Sequence, residues 1–339
     1  MMPVVREPRV LSGVDDIAWG ELEHAYGAAD DVPTRLRALV SGDADEAVGE
    51  LFSSICYQGS VYPATVRAVP FLARIAAAGF ASSGVLGLLG CIAQSDDEHG
   101  IEKPGSARAA VAGQADVLVG LLADRESEVR AMTVWALAQC RDPDELAPAL
   151  RAHWDAEAST AVKATMLKAL WAVGRAAGIA ETQLASSGDP GLRLVAAGAC
   201  VAAGAAWSGE LADAGTAWMA RGLTLPGYWW FDGNHPFGDL LTALAGRGDL
   251  DLAVQLATAG LTRDVGPGVR KDAVWNAGVL ADGYRIPVLP LVTALGAVAR
   301  DDDAGLSAIS LLRRLGQVSG GQPRDTRGLA PASAVGLQS

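Results

Sequence analysis

A chain of 339 residues is long enough to bury a sizeable core, and this one is 50% hydrophobic but only 6% aromatic. Its 39 acidic residues outnumber 27 basic ones, for a net charge of -12. That surplus repels phosphate backbones and anionic lipid, which argues against general nucleic-acid and membrane-surface binding and makes a basic protein the partner class that fits.

The apolar bulk is mostly Ala, Leu and Val, the first two being residues that lose little on entering a helix, and no stretch alternates with period two for long. The reading is all-α. Cys56, Cys91, Cys140 and Cys200 stand alone in apolar runs without CxxC spacing, as expected of reduced core thiols in a cytoplasmic protein. The N-terminal "MMPVVREPRVLSGVDD" has no apolar segment of signal-peptide type. The longest uncharged apolar run, Leu194 to Trp207, is 14 residues, short of the ~20 that a membrane helix needs.

In chain order, the spacing predicts a capping helix near 14–26. Helix pairs follow at about 32–57, 63–94, 107–140, 143–174, 178–204, 208–247, 249–281 and 286–315. Pro70 is expected to kink its helix, and Asp142-Pro143 with Glu145 reads as a cap followed by a first-turn proline. Beyond Gly316 the Gly-, Ser- and Pro-rich tail 317–339 is expected to be disordered.

A repeat organises these helices. Asp124 precedes Val129-Arg130 by five residues, Asp264 precedes Val269-Arg270 by five, and Asp301 precedes Leu306 by five. Weaker copies run from Glu157 to Val162-Lys163 and from Ser187 to Leu192-Arg193. A period of roughly 30 to 40 residues holding two helices is that of an α-solenoid. The arginines of the motif, Arg130 and Arg270, are expected to stay within the repeat ladder, pairing with Asp side chains or carbonyls between units. This pattern, an acid, then Val-Arg, then alternating Ala and Leu, resembles the HEAT-repeat family over roughly residues 14–316, and "YQGSVYPATVRAVPFLARIA" at 57–76 is similar to segments of uncharacterised bacterial members. The resemblance implies a right-handed solenoid of about eight HEAT-like hairpins, and brings no activity with it.

Candidate contact residues come from three places. On the second helix of each unit, the position six after the marker hydrophobe points away from that unit's first helix, and there stand Trp135, Lys168 and Trp275, with Trp171 nearby. This row belongs either to the seam with the next repeat or to a concave partner-binding surface. The insertion at 222–236, "GYWWFDGNHP" at its heart, offers Tyr228, Trp229, Trp230, Asp232 and His235 either to a partner or to its own packing. In "YQGSVYP", Tyr57 and Tyr62 flank a turn at Gly59 and Ser60, and Gln58 could hydrogen-bond a ligand there. The acidic loop "QSDDEHGIEKPG" (94–105) lacks calcium-loop spacing and reads as solvated charge.

No metal or other cofactor is called for: the histidines are not followed by Glu, as iron-binding deoxyhypusine hydroxylases of this architecture require, and GxSxG, HExxH and P-loop motifs are lacking. The expectation is a non-enzymatic protein-binding scaffold, for instance an immunity or inhibitor protein for a basic toxin. The alternative is a HEAT-like DNA-binding enzyme of the alkylpurine DNA glycosylase type, whose groove sets cations and aromatics around an Asp.

Overall fold

The computed structural model describes residues 9–41, 43–140, 142–219, 228, 236–262, 267–283, 308, 310 and 311. Among them the protein is all-α, with two short two-stranded pairings near the N-terminus. The helices group into two units, one running through Glu157 and the other beginning at Ala158.

The first unit opens without the expected capping helix. Residues 14–16 and 19–21 form single 3₁₀ turns, and β1 (Glu23–His24) pairs antiparallel with β2 (Gly27–Ala28). The reason is local: the Trp19 indole donates to the Val14 carbonyl at 2.7 Å, which folds the segment back on itself. Gly13 and Gly27 also adopt positive φ, a conformation no α-helix contains.

The helices then follow the predicted pairs: α1 (Val32–Ala38) and α2 (Ala44–Ile55), α3 (Pro63–Ala77) and α4 (Ser82–Gln94). After α5 (Ser106–Ala112) and α6 (Ala115–Gly120) come α7 (Ser127–Cys140) and α8 (Pro143–Trp154). Pro70 does not interrupt α3. Between α2 and α3, β3 (Ser60–Val61) pairs in parallel with β4 (Asp97–Glu98) from the loop after α4. Burial pushes the Cys56 thiol far up, reinforced by Cys91, and pushes Cys91 up to about 12, in keeping with unreactive core thiols.

The second unit contains α9 (Thr160–Ala172), α10 (Ile179–Ser186), α11 (Pro190–Ala202), α12 (Gly209–Met219), α13 (Pro236–Gly246), α14 (Leu250–Thr262) and α15 (Pro267–Gly283). Helix starts obey the sequence signals. Asp142 accepts from Asp144 N at 2.8 Å ahead of Pro143, and Asp189 accepts from Leu192 N at 2.8 Å ahead of Pro190, each cap satisfying an amide that the helix itself leaves unpaired. The pair expected at 286–315 lies outside the described residues apart from 308, 310 and 311, and the tail 317–339 lies wholly outside them.

Two classes of helix emerge from burial. In α8 and α10 the buried residues (Leu146, Ala147 and Leu150; Ala180 and Leu184) form one stripe. Helices α7, α9 and α11 are instead buried nearly all round, over 131–137, 164–170 and 194–201. A helix with no solvated face has neighbours on every side. In the first unit α7 packs on α4; in the second α11 packs on α9, α10, α12 and α13, and α13 on α15.

The repeat motif has a structural counterpart. Arg130 donates to both carboxylate oxygens of Glu157, at 2.7 and 2.8 Å, and to the Asp124 and Arg125 carbonyls at 2.8 and 3.0 Å. One guanidinium thus ties its own motif acid's backbone to the acid at the head of the next motif. The Glu157 partnership raises the Arg130 pKa, so the charge is permanent. The next contact of this kind is Thr160 to Asp189, at 3.0 Å. For Arg270, whose own acid Asp264 lies outside the described residues, Nε is buried with no hydrogen-bond partner among them.

Among the described residues no single helix is long and apolar enough to cross a membrane. The bent pair formed by α5 and the segment Ala115–Ala123 reaches that length only jointly, and it packs against α3, α4 and α7.

Candidate partner-binding surface

Three loops of the first unit meet at one place, and each is held there by backbone bonds. The β1–β2 hairpin is tied to the end of α2 by Ala25 N donating to the Ser54 carbonyl at 3.0 Å. The loop after α2 pairs with the loop after α4 through β3 and β4, extended by His99 N to the Val61 carbonyl at 2.9 Å and by Ser95 Oγ to the Gly59 carbonyl at 2.5 Å. The loop 94–105, expected to be solvated charge, is therefore a structural partner of "YQGSVYP".

These loops display rings. Tyr26, at the hairpin tip, is 67% exposed and meets Tyr57, 37% exposed, edge to face at 5.8 Å between centroids. His24 lies under Tyr26 at 6.1 Å, and Tyr62 stacks on His99 at 5.6 Å and 22°. His24 sets the hairpin: its Nδ1 accepts from Tyr26 N at 3.0 Å, which leaves Nε2–H to donate to Asp31 at 2.9 Å. Asp31 in turn holds Arg35 at 2.8 Å.

Gln58 sits between the two tyrosines of its loop with φ of 52°, a left-handed conformation that costs a non-glycine residue roughly 1–2 kcal/mol. Its side chain is exposed and donates to the Tyr57 hydroxyl at 3.3 Å.

The charged groups of the surface are oriented by the same loops. Asp97 accepts from Ser60 Oγ at 2.5 Å and lies 3.2 Å from His99 Nε2. The Ser60 hydrogen bond first, and then that of His99, hold the Asp97 carboxyl below the usual carboxylate range. Tyr62 moves the other way: desolvation lifts its phenol above the ordinary value, against a lowering hydrogen bond from Ser60, with the charges of Asp97, Cys56 and Tyr26 adding to the rise.

The other sequence-predicted contact residues fare differently. Trp135 is a correction: it is 0% exposed, and its ring occupies the space a side chain at Gly90 of α4 would need, so it fills a helix seam and offers nothing to a partner. Lys168 is likewise buried, at 6%, with Nζ 2.7 Å from Asp239 Oδ2. Tyr228 is corrected too, being fully buried with its hydroxyl donating to the same Asp239 oxygen. The ammonium lies over the rings of Trp171, at 4.9 Å, and Tyr228, at 5.5 Å. Trp171 is half-buried and closes on Gly198 of α11, where an added Cβ would come within 2.9 Å of the ring.

Of the row, Trp275 alone is exposed, at 50%, with Val279 one turn on at 37%. Trp229, Trp230, Asp232 and His235 lie outside the described residues.

Trp135 and Lys168 take the seam alternative, which the sequence could not decide because helical periodicity identifies the side facing one's own hairpin partner, not the side facing the next hairpin. Conversely, Asp97 and His99 escaped the sequence reading because they reach the surface through a parallel pairing between loops 37 residues apart (Ser60 with Asp97), and Tyr26 because it does so through a hairpin tied to the end of α2. The one available signal was Tyr26-Gly27, a turn pair that argues against a helix there.

Comparison with known proteins gives no match, whether to a family model, a curated protein or a solved structure.

Proposed function

We propose that the protein is a non-enzymatic interaction protein, a HEAT-like right-handed α-solenoid of about eight hairpins that engages a basic protein partner, as an inhibitor or immunity protein would. The solenoid reading is supported by the contacts of α4 with α7 in one unit and of α9 with α11, α11 with α13 and α13 with α15 in the other. Each of these joins corresponding helices of neighbouring repeats, as stacking requires. Bidentate pairing of Arg130 with Glu157 adds a repeat-to-repeat contact at the motif itself.

The observation that carries the functional reading is the pair Tyr26 and Tyr57, left open to solvent on loops that are otherwise hydrogen-bonded into place. Rigid, exposed tyrosines are what interfaces use as anchors, since they bring large contact area at little entropic cost.

The base-excision alternative draws on Lys168, Trp171 and Tyr228 around Asp239. Asp239 is 3% exposed and Lys168 and Tyr228 both hold its Oδ2, so these groups are committed to one another and the interaction reading is preferred.

The test is affinity capture from the source cells, comparing the intact chain with Tyr26→Ala/Tyr57→Ala. A partner retained by the intact chain and lost by the double variant, with an association rate that falls steeply as salt rises, is the expected result. Identical capture by both proteins overturns the assignment of function to this surface.

A further inference from the structure

We infer that the loop surface of the first unit recognises an arginine side chain of the protein partner. The inference rests on the interaction reading above and specifies its chemistry.

Three features converge on a cation with a flat face. The first is the rings: Tyr26 and Tyr57 in edge contact and Tyr62 stacked on His99, with Tyr26 and Tyr57 open to solvent. The face of an aromatic ring attracts a positive charge placed over it.

The second is charge. The three loop segments 23–31, 56–62 and 95–103 contain Glu23, Asp30, Asp31, Asp96, Asp97, Glu98 and Glu102 against Lys103 alone. Arg35 reaches in from α1, where Asp31 and Glu50 already hold it, and Arg108 reaches in from α5, 3.8 Å from Asp96. The local field is therefore negative beside the rings, which complements a cation and repels an anion.

The third is the orientation of Asp97. Ser60 and His99 fix its two oxygens, and an ionised carboxylate has about four lone-pair sites, so each oxygen can still accept from a ligand. A guanidinium combines a planar face that stacks on tyrosine with a fork of N–H donors matched to a carboxylate. A lysine ammonium is a compact charge that holds its water more tightly and has no face to stack. The geometry therefore favours arginine over lysine.

The probes are fluorescein-labelled hexa-arginine and hexa-lysine peptides, titrated against the full chain by fluorescence anisotropy at low and moderate salt. The intact protein is expected to bind hexa-arginine about three- to fivefold more tightly than hexa-lysine, the size of one exposed cation–π contact. That preference should vanish in Tyr26→Ala/Tyr57→Ala and persist in Tyr26→Phe, which keeps the ring. Circular dichroism melting of each variant shows that it is folded; both substituted tyrosines are exposed, so melting should be unchanged. Equal affinity for the two peptides, or a preference that survives in the double alanine variant, overturns the arginine inference. If the cellular partner is nevertheless lost from that variant, the interaction reading stands without it; if capture is also unchanged, both fall.

Discussion

Lys168 and Asp239 put two charges in the interior, where each costs several kcal/mol to desolvate. What offsets that cost is a 2.7 Å contact, the Tyr228 hydroxyl on the same oxygen, and two aromatic faces around the ammonium. Removing one partner strands the other. Asp239→Asn is accordingly expected to lower stability by about 3–5 kcal/mol in urea denaturation, whereas Lys168→Met combined with Asp239→Leu should recover most of the loss. At the surface the stakes are smaller, and pH is the appropriate probe. Because hydrogen bonds from Ser60 and His99 depress the folded-state pKa of Asp97, its contribution is complete above the unfolded carboxylate value of about 4 and is lost as pH falls through the lower, folded value. The side-chain carboxyl carbon signal of Asp97, followed by NMR, should show its transition below about pH 4. A transition centred above pH 5 would contradict the Ser60 and His99 contacts as its cause.

At the scale of elements, glycine decides how closely the fully buried helices approach. Gly90 of α4 makes room for Trp135 of α7, and Gly198 of α11 for Trp171 of α9. Adding a methyl group at Gly90 drives it into a ring with nowhere to go, so Gly90→Ala should cost about 1–3 kcal/mol. Gly49, exposed within α2 with nothing near its missing Cβ, is the control: Gly49→Ala should stabilise by about 0.5–1 kcal/mol through helix propensity alone. Paired thermal melts of the two variants separate packing from propensity, and equal shifts would mean that Trp135 does not need the space.

For the whole molecule the governing number is the net charge of -12, spread over a chain with only 27 basic residues. Like charges at that density repel one another within the folded state, and salt screens them over a Debye length of about 10 Å at 0.1 M. Raising NaCl from low to moderate concentration should therefore increase Tm, while the same change slows association with a basic partner. A falling Tm would show that attractive pairs such as Arg130–Glu157 and Lys168–Asp239 dominate the screened electrostatics.

Composition, caps and the 3.6-residue period determined by themselves that this is a helical protein, and where the first helix of each described pair begins. These are local properties: Asp142-Pro143 and Asp189-Pro190 start helices because a side chain two or three residues away satisfies a free amide. The acid-to-arginine spacing likewise marked Arg130 and Glu157 before their contact was visible. Tertiary structure alone decided which faces are free. The sequence left Trp135 and Lys168 open between seam and surface because periodicity knows only the partner within a hairpin, and burial is set by the neighbours of the next one. That Tyr26 and His99 join the Tyr57 and Tyr62 loop was hidden for the same reason, since the three loops have no periodic relation. They meet because backbone bonds at Ala25, Ser60 and Val61 bring those loops together.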